Sequence, residues 1–126
     1  MKDQKYLILC VDDDQDTLDL LRIALESGGL KVVTAISAEE GLKKFKAEKP
    51  DLIIVDLMME EIDSGTSLIM KLRAAGNTSP VYILSSVGDS LNRAVDFAEL
   101  GVAGIFQKPI EPGNLLVTVK TKLAKK

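Results

Sequence analysis

The chain contains no histidine. Imidazole-ligated metal centres, catalysis by a histidine base and service as a phosphohistidine carrier are therefore excluded. A single cysteine, Cys10, lies inside the apolar run 6–11, so no intramolecular disulfide can form and nothing points to an oxidising compartment. In such a run a thiol reads as a small buried hydrophobe. No apolar stretch approaches the length of a membrane span. No signal peptide is visible either, because residues 1–5 lead straight into a short strand-like run and then into carboxylates. The expected location is cytoplasmic. A strong excess of either charge is also missing: the formal net charge is −3, which argues against a general nucleic-acid binder. The one basic run, Lys120, Lys122, Lys125 and Lys126, reads as a solvated helix end. Repeats, linkers and low-complexity segments are missing, and 126 residues suit one domain over 1–126.

What is present is a steady alternation of short apolar runs and amphipathic stretches. Tyr6–Val11 is continuously apolar. Asp16–Ser27 carries Leu18, Leu21 and Leu25 on one helical face and stops at Gly28-Gly29. Lys31–Ala35 is a more polar strand, expected near an edge. Ser37-Ala38-Glu39-Glu40 is a capping-box pattern, after which Leu42 and Phe45 face inward until Pro50. Leu52–Val55 is a second buried run. A helix is expected from about Gly65 to Ala75 with Leu68, Ile69 and Leu72, and Val81–Leu84 is the third run. Asp89–Leu100 reads as a helix, Val102–Gln107 as the last strand, and Pro112 opens a final helix with Leu115, Leu116, Val119 and Leu123. Five strands alternating with five helices imply an α/β fold, a doubly wound parallel sheet covered on both faces. Strands buried on both faces should be unbroken apolar runs, and three of them are.

The informative feature is what ends each run. The first ends in Asp12-Asp13-Asp14, the third strand in Asp56, the fourth in Ser85-Ser86 and the fifth in Lys108-Pro109. Ligands of doubly wound sheets bind at the carboxyl ends of the strands. Carboxylates crowded there repel one another, and a divalent cation removes that cost. An all-oxygen set with few protein ligands suits Mg²⁺, which often shares its shell with a phosphate. Lys108 adds a point cation and Ser85 a hydroxyl, completing a set suited to phosphoryl transfer, where positioning and charge neutralisation carry the catalysis. Taken singly, the Asp12–Asp14 acids would pass as turn and N-cap residues, Ser85 as a strand-end hydroxyl and Lys108-Pro109 as a turn. Asp56 after Leu-Ile-Ile-Val is harder to assign to a turn. The joint occurrence on four strand ends is the specific signal.

These residues resemble the receiver domain of two-component response regulators, over about Tyr6 to Leu123. The resemblance implies a flavodoxin-like sheet of order 2-1-3-4-5 and a phosphorelay role. It implies Mg²⁺ held by Asp12, Asp13, Asp56 and the backbone carbonyl of Met58, with Asp14 outside the shell. Asp56 matches the phosphoacceptor, Ser85 the hydroxyl that bonds the phosphoryl group, and Lys108 the lysine, with a cis bond expected before Pro109. Ser85, Ile105, Lys108 and Pro109 occupy the switch positions. Three departures stand out. Met59 is followed by Glu60 where a proline is usual. The loop from Met59 to Gly65 is one residue longer than common. Ile105 stands where the family has an aromatic toggle, with Phe106 beside it.

The implied partners are a sensor histidine kinase or histidine phosphotransfer protein and an output protein or domain met through the Asp89–Gln107 face. No nucleic acid or membrane is expected, and the chain is expected to be a monomer or weak dimer. It is expected to catalyse only its own phosphorylation and dephosphorylation, and to lack an output domain because it ends at the last helix. Met58 and Val87, both apolar, border the approach of the hydrolytic water in the family, so a long-lived phosphoryl group is expected. Two alternatives are weaker. A hydrolase forming an aspartyl-phosphate usually has a second acid two residues after its nucleophile, where this chain has Met58. A pseudo-receiver interaction module would not need the intact set Asp12, Asp13, Asp56, Ser85 and Lys108.

Overall fold

Three of the apolar runs become central strands, β1 (Leu7–Val11), β3 (Leu52–Asp56) and β4 (Val81–Ser85), flanked by β2 (Lys31–Ala35) and β5 (Gly104–Gln107). They were located in a computed structural model that describes residues 5–57, 64–85 and 101–124. The sheet is parallel throughout, in the order β2-β1-β3-β4-β5. Four helices are described: α1 (Gln15–Ser27), α2 (Ala38–Glu48), α3 (Ser64–Ala74) and α4 (Pro112–Ala124). The helix expected over Asp89–Leu100 lies outside the described residues.

Strand alternation divides the interior into two cores. Ile8 and Cys10 of β1 join Ile54, Tyr82 and Leu84 against Leu18, Leu21 and Leu25 of α1 and Leu115, Val119 and Leu123 of α4. Leu9 and Val11 turn to the other face, with Ile53, Val55 and Ile83, against Leu68, Ile69 and Leu72 of α3 and the half-buried Leu42 and Phe45 of α2. Apolar residues three and four apart on each helix supply the matching stripe. Burial on both faces is why β1, β3 and β4 have no polar residue until their carboxyl ends.

The edges differ. β2 is only partly buried. Arg22 of α1 donates to Val32 O at 3.4 Å and to Thr34 Oγ1 at 3.5 Å, and Lys44 of α2 donates to Thr34 O at 3.4 Å. Charged side chains on backbone carbonyls make such an edge a poor template for another strand. β5 begins at Gly104, two residues later than its apolar pattern suggests. The chain is still turning from Gly101, whose φ is +73°, although Ala103 N–H already donates to Val81 O at 2.7 Å.

Helix ends follow the sequence closely. Ser37 Oγ accepts from Glu40 N–H at 3.1 Å, while Glu40 Oε1 accepts from Ile36 N–H at 2.7 Å. The reciprocal bond of the capping box thus falls one residue before the cap. Glu111 accepts from Gly113 and Asn114 N–H and sets the entry into α4. Among the described residues, no helix is long and apolar enough to cross a membrane.

Candidate functional site

The carboxyl edge of the sheet is built by backbone pairing before any side chain is considered. Asp12 follows β1, and its N–H donates to Ala35 O at 3.1 Å. Asp56 is the last residue of β3. The next N–H, of Leu57, donates to Leu84 O at 2.8 Å, and Leu57 O accepts from Gly65 N–H at 3.1 Å, so the chain after Asp56 is tied to β4 on one side and α3 on the other. Ser85 ends β4, and its carbonyl accepts from Lys108 N–H at 2.8 Å. The Lys108–Pro109 peptide is cis.

On this frame Lys108 Nζ lies 3.1 Å from Asp12 Oδ2 and 3.4 Å from Asp56 Oδ1. The contact to Asp12 Oδ2 has the geometry of an ion pair and not of an aligned hydrogen bond. Asp12 is fully buried and Asp56 is 6% exposed. Asp12 Oδ1 accepts from Asp14 N–H at 2.9 Å, and Asp14 is the N-cap of α1, accepting from Asp16 N–H and from Thr17 Oγ1. Asp14 is therefore a cap, whereas the second oxygen of Asp12 is the one that meets Lys108. The Thr17 hydroxyl bond holds the Asp14 carboxyl below its ordinary range.

Burial pushes the Asp56 carboxyl up to about 7, with the nearby Asp12 charge adding to the rise and Lys108 opposing it. Burial pulls the Lys108 ammonium down, but Asp12 and Asp56 outweigh that and hold it above its usual value. Among the described residues one cation thus serves two buried carboxylates, and the balance there is short of positive charge. Asp13, exposed, brings a third: carboxylate oxygens of Asp12, Asp13 and Asp56 all lie within 4.8 Å of one another. Three hard oxygen donors of net negative charge fit a divalent cation of the Mg²⁺ type, with room for waters and a phosphoryl oxygen. Ser85 Oγ is fully buried at the same edge and has no hydrogen-bond partner among the described residues. A buried hydroxyl left unpaired is costly and marks a place where a polar group is received.

The structure therefore brings Asp12, Asp13, Asp56 and Lys108 together, with Ser85 on the adjoining strand end. Met58, Met59, Glu60, Ser86 and Val87 lie outside the described residues. Ile105 is 42% exposed on β5, whereas Phe106 points to the opposite face and stacks on Tyr82 with ring centroids 5.1 Å apart. No ring stands at position 105, and Phe106 does not replace it. Two clefts of about 470 and 510 Å³, sharing Asn77, Thr78 and Ser79 in their linings, include none of the strand-end residues. Sequence reasoning overlooked two positions. Leu57 carries the backbone bonds that fix Asp56, and Gly65 packs on that same backbone; a glycine in a first helical turn was the available signal for the second.

Comparison with known proteins is consistent along the chain. Residues 8–120 match the model of the response regulator receiver domain. The chain is 35% identical over 116 residues to the alkaline phosphatase synthesis transcriptional regulatory protein PhoP of Bacillus subtilis, covering 92% of this chain and 48% of that protein. It is 39% identical over 116 residues to the transcriptional regulatory protein GlrR of Escherichia coli, covering 92% and 26%. The chain thus spans half or less of the curated relatives it matches. Among solved structures, a CheY-like response regulator receiver domain protein from Methanospirillum hungatei superposes with a TM-score of 0.88 at 30% identity, covering 97% of this chain and 96% of that one.

Proposed function

This chain belongs to the response regulator receiver domain family of two-component phosphorelay signalling, and from that premise we propose that Asp56 accepts a phosphoryl group in an Mg²⁺-dependent transfer. The donor is the phosphohistidine of a sensor kinase or histidine phosphotransfer protein. Supporting this is one observation above the rest: the buried Asp56 carboxylate shares the Lys108 cation with a second buried carboxylate, Asp12.

A carboxylate oxygen of Asp56 attacks the phosphorus. The phosphorus–nitrogen bond breaks as the new oxygen–phosphorus bond forms, and the imidazole leaves with the electron pair. Asp12, Asp13, Asp56 and the backbone carbonyl of Met58 are the residues that would hold Mg²⁺. The cation, when bound, neutralises the carboxylates and the phosphoryl oxygens that meet there. Lys108 opposes the protonation of Asp56 and then bonds a phosphoryl oxygen. The Ser85 hydroxyl, which has no partner among the described residues, donates to another. Positioning and charge balance are all the catalysis the transfer needs, so the protein acts as a regulatory domain and not as an enzyme on other substrates.

The wider reading follows the family: one receiver domain over residues 1–126, cytoplasmic, monomeric or weakly dimeric, and engaging its output through the Asp89–Gln107 face. With Ile105 in place of a ring, the signal passes through movement of Ser85 and of β5 without an aromatic swing. Incubation with acetyl phosphate and Mg²⁺, followed by intact mass, tests the core of this reading. A single persistent phosphoryl adduct supports it, rapid turnover to inorganic phosphate supports a hydrolase, and no reaction supports a pseudo-receiver. In Asp13→Ala, Mg²⁺ affinity and phosphorylation rate should fall together; an unchanged affinity places the cation elsewhere.

A further inference from the structure

Gly65 is the second residue of α3 and is buried. A β-carbon built on it would stand 2.5 Å from the Leu57 carbonyl oxygen and 2.7 Å from Leu57 Cα, and closer still to the carbonyl oxygen of Asp56. These neighbours are all backbone, so no side-chain rotation relieves the clash. The contrast within the chain is plain. At Gly28 the obstructing atoms are the flexible end of Leu116, and at Gly76, where φ is +97°, the space is open. Gly65 has no positive φ. What the position forbids is therefore volume and not an L-residue conformation.

We propose that Gly65 is a positioning residue for Asp56: its missing side chain lets the first turn of α3 seat directly on the Asp56–Leu57 backbone. The inference rests on the reading of Asp56 as the phosphoacceptor. Gly65 N–H donates to Leu57 O at 3.1 Å and Leu57 N–H donates to Leu84 O at 2.8 Å. Helix, acceptor strand and β4 are thereby joined through one peptide on each side of Leu57. Asp56 has no room to drift while α3 is seated, and its carboxylate stays within reach of Lys108, 3.4 Å away, and near the carboxylates of Asp12 and Asp13. Any side chain at position 65 lifts α3 or bends the chain at Asp56. Displacement of a reacting group by about 1 Å is enough to cost on the order of 100-fold in rate.

The test compares Gly65→Ala with Leu68→Ala. Leu68 is a buried residue of the same helix; its truncation loosens α3 without adding atoms near Asp56. Folding is followed by circular dichroism and thermal melting, Mg²⁺ affinity by titration, and phosphorylation by acetyl phosphate at saturating Mg²⁺. Gly65→Ala is expected to lose about 10- to 100-fold in phosphorylation rate and to bind Mg²⁺ more weakly, while Leu68→Ala loses stability and keeps both once folded. Loss in the two variants in proportion to their stability, or an undiminished Gly65→Ala, overturns the proposal. Because Gly65→Ala can fail to fold, the wild-type chain supplies a second measurement. Mg²⁺ should slow amide exchange at Gly65, whose N–H bonds Leu57, more than at Gly76, whose N–H bonds Arg73 at the far end of α3. Equal or absent protection at the two sites also overturns it. A wild-type chain that takes no phosphoryl group removes the phosphoacceptor reading itself, whereas a reactive wild type with an equally reactive Gly65→Ala removes only the role of Gly65.

Discussion

Lys108 Nζ stands 3.1 Å from Asp12 Oδ2, nearer than to Asp56 Oδ1 at 3.4 Å. The ion pair therefore links the ends of β5 and β1, reaching across the ends of β3 and β4 that lie between them in the sheet. In the resting molecule the lysine is a structural counter-ion for two buried carboxylates. If Asp56 takes a phosphoryl group as proposed, the lysine has only to exchange one of these oxygens for a phosphoryl oxygen, from a position it already holds.

Removing that cation should leave two carboxylates buried without compensation. Breaking one partner out of a buried pair costs about 3–5 kcal/mol, and the partial exposure of Lys108 reduces this to about 1–3 kcal/mol. Urea unfolding of Lys108→Ala in EDTA at neutral pH should show that loss. Mg²⁺ should restore more stability to the variant than it adds to the wild type. A variant as stable as the wild type in EDTA contradicts the counter-ion role.

The contribution of Asp56 to the pH dependence of the metal-free protein has a definite sign. Burial, with the Asp12 charge, pushes the folded Asp56 carboxyl up to about 7 from the ordinary 3.8. The folded state then holds a proton that the unfolded state has released, so stability falls as pH rises from about 4 to about 7. Chemical denaturation in EDTA should record this decline, and Asp56→Asn should flatten it and be the more stable chain at neutral pH. A stability that rises over this interval in the wild type, or a slope untouched in the variant, contradicts the assignment.

Cys10 sits fully buried in β1, and burial pushes its thiol up to about 12. Neither access nor ionisation favours attack on an alkylating reagent. Iodoacetamide should modify it only at the rate of unfolding, with full labelling in denaturant. Rapid labelling under native conditions would show that β1 opens locally.

The central strands were legible because both of their faces are covered, which writes Ile8–Val11, Leu52–Val55 and Val81–Leu84 as runs without polar interruption. The carboxyl ends were legible for the same reason: Asp56 and Ser85 are the first polar residues after such runs. The apolar pattern of β5 starts two residues before the strand does, because Val102 is apolar for packing on the core and not for strand pairing. Ordinary local signals give helix entries, yet they cannot say that Asp12 divides its two oxygens between an Asp14 N–H and Lys108. That division depends on the order of strands, as does the placing of the buried Ser85 hydroxyl. Gly65 was visible as a letter but not as a contact, since its neighbour Asp56 is brought to it only when α3 folds back on β3.

The most direct measurement is the intact mass of wild type and Asp56→Asn after identical exposure to acetyl phosphate and Mg²⁺, with peptide mapping of any adduct. The account predicts one phosphoryl group on the wild type, mapped to Asp56, and none on the variant. An adduct of the same yield on Asp56→Asn, mapped to the position it occupies in the wild type, would contradict the assignment of Asp56 as the acceptor.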